Sequence, residues 1–284
     1  MTHPVAEGVR LNVRRWPGGR PEFLLVHGLA SNARLWDEVA ARLAAAGHAV
    51  HAPDLRGHGE SDAPPAGYDT ATAAADLAAL ADAAGLSRLV VAGQSWGASV
   101  AVHLAGRRPD LVGALALVDG GWGDLRAELG SWEACEAALR PPELDGLPVA
   151  RLRRQLAEAH PDWSAAAVEA TIANLRVRPD GRLERRLAIP RHMAIVRSMW
   201  EDPPLPRLAR VRAPTLLVPA LPADAERAAR KRRQVTAAAA ALGARATVRE
   251  YAAADHDLHA QHPVELTEDL LGLAGQVSTP EARS

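Results

Sequence analysis

Gly93-Gln94-Ser95-Trp96-Gly97 sets a serine between two glycines, directly after an apolar strand-like run at 89–92 and directly before a helical stretch at 96–106. A serine held in such a turn projects its oxygen above the sheet, and glycines at both ends spare the collision a Cβ would make with helix and strand. Serine is a weak nucleophile until a base takes its proton. The base is expected late in the chain, where 251–259 contains Asp255-His256-Asp257-Leu258-His259. His256 comes first after the strand-like run at 246–251 and is the expected base. His259 and His262 are read as solvated or helix-capping, and Asp255 and Asp257 as loop and cap residues. The base needs a carboxylate to set its tautomer. Asp119, at the end of the run 114–118, and Asp224, after the run 214–218, both preserve the order serine, acid, histidine.

His27-Gly28-Leu29-Ala30 follows another apolar run at 23–26. A chain reversal here would aim the Leu29 N–H into the site, where it and the Trp96 N–H form a two-donor oxyanion hole. His27 is read chiefly as structural, with a pocket role as the lesser alternative. Gly57-x-Gly59 is read as a tight turn held by Arg56 and His58, not as a nucleotide loop.

These residues need a frame. Short, wholly apolar runs at 23–26, 48–52, 89–92, 114–118 and 214–218 alternate with helical stretches at 33–46, 70–84, 96–106 and 225–242, with a last helix at 263–275. Strands apolar throughout are buried on both faces, and the alternation implies an α/β fold with a mostly parallel central sheet flanked by helices. Thr70 or Thr72 is the expected cap of the helix at 70–84. The regularity breaks over 121–210, which has helical segments at 131–139, 148–159, 164–174 and 190–200, no clear strand, and Trp122, Trp132, Trp163 and Trp200. The expected organisation is a core of 1–120 and 211–284 with a helical cap of 121–210, and Trp122 and Trp200 are its candidate pocket residues. The tail 278–284 is expected to fray.

The chain of 284 residues has a formal net charge of −1, which argues against a nucleic-acid binder, whose affinity rests on a basic excess. Lys231 is the sole lysine, a skew read as codon bias and given no functional weight. Within 121–210, an acidic stretch at 122–150 precedes an arginine-rich one at 151–200, and the two are expected to attract each other; Arg185, Arg186 and Arg191 are expected to be solvated. Cys135 alone excludes a disulfide framework. No histidine, aspartate or glutamate set has metal-ligand spacing, so neither metal nor cofactor is expected. No apolar run approaches the roughly 20 residues of a membrane span, and the N-terminus lacks a signal-peptide pattern. A cytoplasmic protein acting on a small molecule is expected, with no nucleic-acid or membrane partner; its oligomeric state is unknown.

Together, His27-Gly28, the turn Asp54-Leu55-Arg56-Gly57-His58-Gly59-Glu60-Ser61, the elbow Gly93–Gly97 and the segment from His256 to Pro263 resemble the α/β-hydrolase superfamily over nearly the whole chain. That resemblance implies a Ser95–Asp–His256 triad. The family usually places the acid in a G-x-x-D loop after the seventh strand; here Ala220 replaces the glycine and Asp224 stands one residue too far. Some members carry it at the end of strand six, where Asp119 lies, so Asp119 is preferred. The short N-terminus suggests a first strand trimmed or lost. A serine at the elbow argues against the epoxide-hydrolase and dehalogenase branches, which use aspartate there. The function expected is hydrolysis of an ester, lactone or thioester through an acyl-enzyme. A carbon–carbon hydrolase or acyltransferase using the same triad is the alternative, and a non-catalytic ligand-binding protein on this fold a remote one.

Overall fold

The computed structural model describes residues 2–6 and 8–277; the tail 278–284 lies outside the described residues. In chain order the strands are β1 Thr2–Ala6, β2 Val9–Trp16, β3 Gly19–Val26, β4 His48–Pro53, β5 Leu89–Gln94, β6 Val112–Val118, β7 Leu175–Val177, β8 Leu183–Arg185, β9 Thr215–Val218, β10 Ala220–Leu221, β11 Ala246–Val248 and β12 Tyr251–Ala252. The helices are α1 Asp37–Ala45, α2 Thr70–Ala83, α3 Trp96–Arg107, α4 Leu125–Leu129, α5 Trp132–Leu139, α6 Val149–Ala159, α7 Ala165–Ile172, α8 Ile189–Glu201, α9 Leu205–Leu208, α10 Ala225–Leu242, α11 Leu258–Gln261 and α12 Pro263–Ala274.

Eight strands form the main sheet in the order β1-β2-β4-β3-β5-β6-β9-β11. β4, β3, β5, β6, β9 and β11 run parallel, whereas β2 pairs antiparallel with β4 and β1 antiparallel with β2. The apolar runs supply this core because alternate residues face opposite layers. Leu24 and Val26 pack with Leu77, Leu104 and Trp96 on the α2–α3 side. Phe23 and Leu25 pack with Val39, Leu43 and Leu270 on the α1–α12 side. Each of these buried side chains contributes about 2 kcal/mol of hydrophobic free energy.

Four expectations are corrected. The N-terminal edge is present: β2 reads Val9-Arg10-Leu11-Asn12-Val13, and its apolar residues are buried while Arg10 is exposed. Helix α2 is capped by Asp69, whose carboxylate accepts from the Thr72 N–H at 2.8 Å, not by Thr70 or Thr72. The stretch 121–210 holds the antiparallel hairpin β7–β8 as well as helices. Nor do Arg185, Arg186 and Arg191 stand free in solvent: all three are half-buried. The Arg185 side chain is 11% exposed and lies 3.9 Å from Glu143, joining the acidic and basic stretches. Arg186 pairs with Glu60 at 2.7 Å, and Arg191 lies over the Tyr68 ring. Arg153 and Arg176 pair with Glu169 and Glu184 of their own stretch.

Among the described residues no helix is long and apolar enough to cross a membrane.

Candidate active site

The sheet order reverses between β3 and β5: the chain moves from β3 outward to β4, then returns to β5 on the other flank. A crevice opens at the carboxyl ends of strands at such a switch point. The turns after β3 and β5 both enter it.

Ser95 occupies the turn between β5 and α3 with φ 55 and ψ −122, a conformation rare for a residue with a Cβ. Neighbouring backbone holds it there. The Ser95 N–H donates to Val118 O at 2.9 Å, and Ser95 O accepts from the Ala98 N–H at 3.1 Å. The elbow glycines are needed for close approach. A Cβ on Gly93 would strike the backbone of Gly97 and Ala98, and one on Gly97 would strike the end of β3 at Val26 and His27.

The turn after β3 lies against the elbow, since a Cβ on Gly28 would stand 2.5 Å from Gln94 Oε1 and 3.0 Å from the Ser95 Cβ. Two buried imidazoles brace this turn. The Leu55 N–H donates to His27 Nε2 at 2.9 Å, so the ring proton is on Nδ1 and donates to Gly28 O at 2.8 Å. The Ala30 N–H donates to His58 Nε2 at 3.2 Å, and His58 Nδ1 donates to Arg56 O at 2.9 Å. Burial pushes the His27 pKa down and that of His58 to about 3, which keeps both rings neutral and both tautomers fixed. Leu29 therefore sits between two residues whose backbone groups are pinned. Trp96, its proposed partner donor, is the first residue of α3, where a helix leaves its N–H groups unpaired. The Trp96 indole points elsewhere: it is buried, donates to Thr70 Oγ1 at 3.1 Å and stacks on His58.

The turn carrying His58 is itself anchored by buried charge. Asp54 accepts from Ala33 and Glu60 N–H and from Asn12 Nδ2. Arg56 makes a bidentate pair with Asp76, both bonds 2.6 Å.

Asp119 directly follows β6 at φ 45 with its side chain 3% exposed. His256 Nδ1 donates to Asp119 Oδ2 at 2.6 Å. A carboxylate only accepts, so the neutral ring carries its proton on Nδ1 and leaves the Nε2 lone pair open. Asp119 also accepts from the Ala220 N–H at 2.9 Å and from Lys231 Nζ at 2.8 and 2.9 Å. Burial would raise the Asp119 pKa, but the hydrogen bond and charge of His256, with Lys231, hold it below the usual carboxylate value. His256 is different, its side chain being 54% exposed, but the partial loss of water around the ring would still lower its pKa. The Asp119 hydrogen bond and the charges of Asp119 and Asp257 outweigh this, and the net shift is upward.

Ser95, Asp119 and His256 line one cavity of about 250 Å³, with Trp122, Leu125, Glu128, Met199 and Pro204 from 121–210 and with Lys231. Of the sequence candidates, Ser95, Asp119, His256 and Trp122 come together here. Asp224 does not: it is exposed and caps α10, accepting from the Arg227 N–H at 2.7 Å. Trp200 does not line it either; it packs with Cys135 and Val196, edge-on to Trp132. His27 is fully buried and braces the turn without lining the cavity. His259, expected to be solvated or helix-capping, is instead buried against Trp36 at 4.6 Å, with its pKa pushed down to about 4 by burial. His262 immediately precedes α12, makes no capping hydrogen bond with its side chain, and lies 3.9 Å from Glu265.

Two residues at the site carried no recognised sequence signal. Gln94 Nε2 donates to His256 O and Asp257 Oδ1, each at 3.2 Å, tying the elbow to the histidine loop. Lys231 is the other, and its being the single lysine was the one clue available.

The profile of the family described as alpha/beta hydrolase fold matches residues 21–218. The chain belongs to that family and is a hydrolase. It is 35% identical over 204 residues to Lipase LipV of Mycobacterium tuberculosis, covering 70% of this chain and 74% of the lipase. It is 32% identical over 196 residues to Epoxide hydrolase A of the same organism, covering 63% of this chain and 60% of that protein. In fold it is similar to the crystal structure of E-2-(acetamidomethylene)succinate hydrolase, with TM-score 0.76, 24% identity, and coverage of 97% and 99% of the two chains.

Proposed function

We propose that the protein is a serine hydrolase of small-molecule carboxylic esters, lactones or thioesters, working through an acyl-enzyme. The observation that carries this reading is the 2.6 Å hydrogen bond from His256 to a buried Asp119 in the cavity lined by Ser95. His256 Nε2 takes the Ser95 proton as Oγ attacks the substrate carbonyl carbon. The negative charge that develops on the carbonyl oxygen is held by the N–H groups of Leu29 and Trp96. His256 passes its proton to the leaving oxygen or sulfur, and the carbon–leaving-group bond breaks. Water then enters, His256 takes its proton, and the acyl–Ser95 bond is cleaved to the acid, with the proton returned to Ser95. Asp119 keeps the ring oriented and balances the imidazolium in both halves.

The similarity to a lipase supports ester chemistry. The similarity to an epoxide hydrolase speaks for the shared frame, with serine as the attacking group at this chain's elbow. The cavity of about 250 Å³ lies under the ~300–1,000 Å³ of drug-sized pockets, which favours a small acyl group. In this reading 121–210 is a cap that sets specificity through Trp122, Leu125 and Met199, over a core of 1–120 and 211–284. A panel of matched short-chain esters, lactones, thioesters and carbon–carbon-cleavage substrates, with product analysis in the presence of alcohol acceptors, tests it. Acid release from the oxygen and sulfur esters is expected; cleavage of carbon–carbon substrates alone, or preferential acyl transfer to the alcohol, would replace it.

The pH profile follows from the same roles. Only the neutral imidazole accepts the serine proton, and the His256 pKa is raised. Activity is present above that pKa and lost as pH falls through it. The acid limb of kcat/KM is therefore expected above the ordinary imidazole value of about 6.5. A profile flat down to pH 5 would remove His256 as the base.

A further inference from the structure

Buried carboxylates are costly unless compensated. Asp119 is compensated by the only lysine in a chain whose other basic residues are all arginine. Lys231 Nζ lies 2.8 Å from Asp119 Oδ1, 2.9 Å from Asp119 Oδ2 and 2.8 Å from Ala220 O. An ammonium has three protons, and these three acceptors use all of them. Although Lys231 lines the cavity with Ser95, no donor is left over for a substrate. The acceptors converge on one nitrogen, which suits a compact ammonium; a planar guanidinium spreads its donors over a fork.

We propose that Lys231 is a positioning residue of the hydrolytic site: it clamps the Asp119 carboxylate in the plane that His256 needs and neutralises it, so that His256 remains a free base at lower pH. This rests on the Ser95–Asp119–His256 reading above. The clamp ties three segments together. Asp119 directly follows β6, the Ala220 N–H and C=O begin β10, and Lys231 lies two turns into α10. It also accounts for an acid on β6 instead of after β9. The loop after β9 provides an N–H donor at Ala220, and the following helix provides the cation.

The charges around His256 set the sign. Asp119 faces it from β6, Lys231 from α10 and Asp257 from its own loop. Glu128 of α4 shares the cavity wall, and neutral, buried His259 lies on α11. Asp119 and Asp257 favour the imidazolium, and Lys231 opposes it. Removing the lysine charge therefore stabilises the imidazolium and moves the acid limb to higher pH.

The test compares wild type, Lys231→Met and Lys231→Arg by kcat and kcat/KM against pH with a short-chain aryl ester, after equal folding has been checked by circular dichroism. For Lys231→Met, kcat is expected to fall about tenfold and the acid limb to rise by about one pH unit, the scale of one neighbouring charge. Lys231→Arg keeps the charge but not the convergent geometry; its acid limb should stay with wild type while kcat falls. A Lys231→Met acid limb superimposed on wild type overturns the proposal, whether or not kcat drops, because a merely structural loss lowers rate without moving the limb. Should Lys231→Met fail to fold, Lys231→Arg decides alone, and wild-type kcat in it overturns the clamp. Fluorophosphonate labelling of Ser95 in wild type runs alongside: its absence would sink the triad reading itself, whereas labelling with an unmoved limb sinks only the role of Lys231.

Discussion

Ser95→Ala is expected to lower kcat for ester hydrolysis by about six orders of magnitude, the loss produced when a triad nucleophile is deleted, while Tm stays within about a degree of wild type. The size of the first effect follows from covalent catalysis: without Oγ no acyl-enzyme forms, and only binding and the oxyanion donors remain to help water attack. The absence of the second follows from the turn. Ser95 sits at φ 55 because Gly93, Gly97 and the surrounding backbone bonds impose it. Alanine carries the same Cβ as serine and meets the same strain, so the elbow neither relaxes nor breaks. Steady-state kinetics with thermal unfolding of the same preparation reads both quantities, and a variant retaining even a tenth of wild-type kcat would remove Ser95 as nucleophile.

Asp119→Asn should cost about four orders of magnitude in kcat, by way of the tautomer of His256. The amide replaces one carboxylate oxygen by NH₂, and four donors surround the group: the Ala220 N–H, two contacts from Lys231 and His256 Nδ1. The single amide oxygen is drawn to the lysine charge and the Ala220 N–H. The NH₂ then faces His256, which must accept at Nδ1 and carry its proton on Nε2, where it cannot take one from serine. Asp224→Asn makes the contrast. Asn caps a helix as well as Asp, so exposed Asp224 should tolerate the change with kcat unaltered and stability within about 0.5 kcal/mol. Kinetics of the two variants side by side separate the acids; comparable losses in both would contradict the geometry.

The two acids were not separable from residue type and order, because each comes after an apolar strand and each lies between Ser95 and His256 in the chain. What separates them is tertiary: only the β6 end lies beside the loop after β12 in space. The serine elbow, by contrast, was legible because its constraint is local, written in two glycines and a strand–helix junction. The core strands were legible for a similar reason, being apolar on both faces. β2 escaped notice although Val9, Leu11 and Val13 alternate with polar residues, since a half-exposed edge strand lacks the continuous apolar run of its neighbours. The hairpin β7–β8 has three residues per strand, too short for any period to show. His259 looked solvated because it follows a polar loop; its burial beneath Trp36 depends on how α11 folds back on the segment before α1. Lys231 was visible as a singularity of composition but not as a neighbour of Asp119, 112 residues away.

Every step proposed for this site passes through an acylated Ser95. Intact-mass analysis of the protein after reaction with a fluorophosphonate, followed by peptide mapping, tests it most directly. The expected result is one adduct per chain on the peptide containing Ser95, absent from Ser95→Ala and slowed in Asp119→Asn in proportion to its loss of kcat. An unlabelled Ser95 in protein that still hydrolyses esters, or an adduct on another residue that tracks activity, would contradict it.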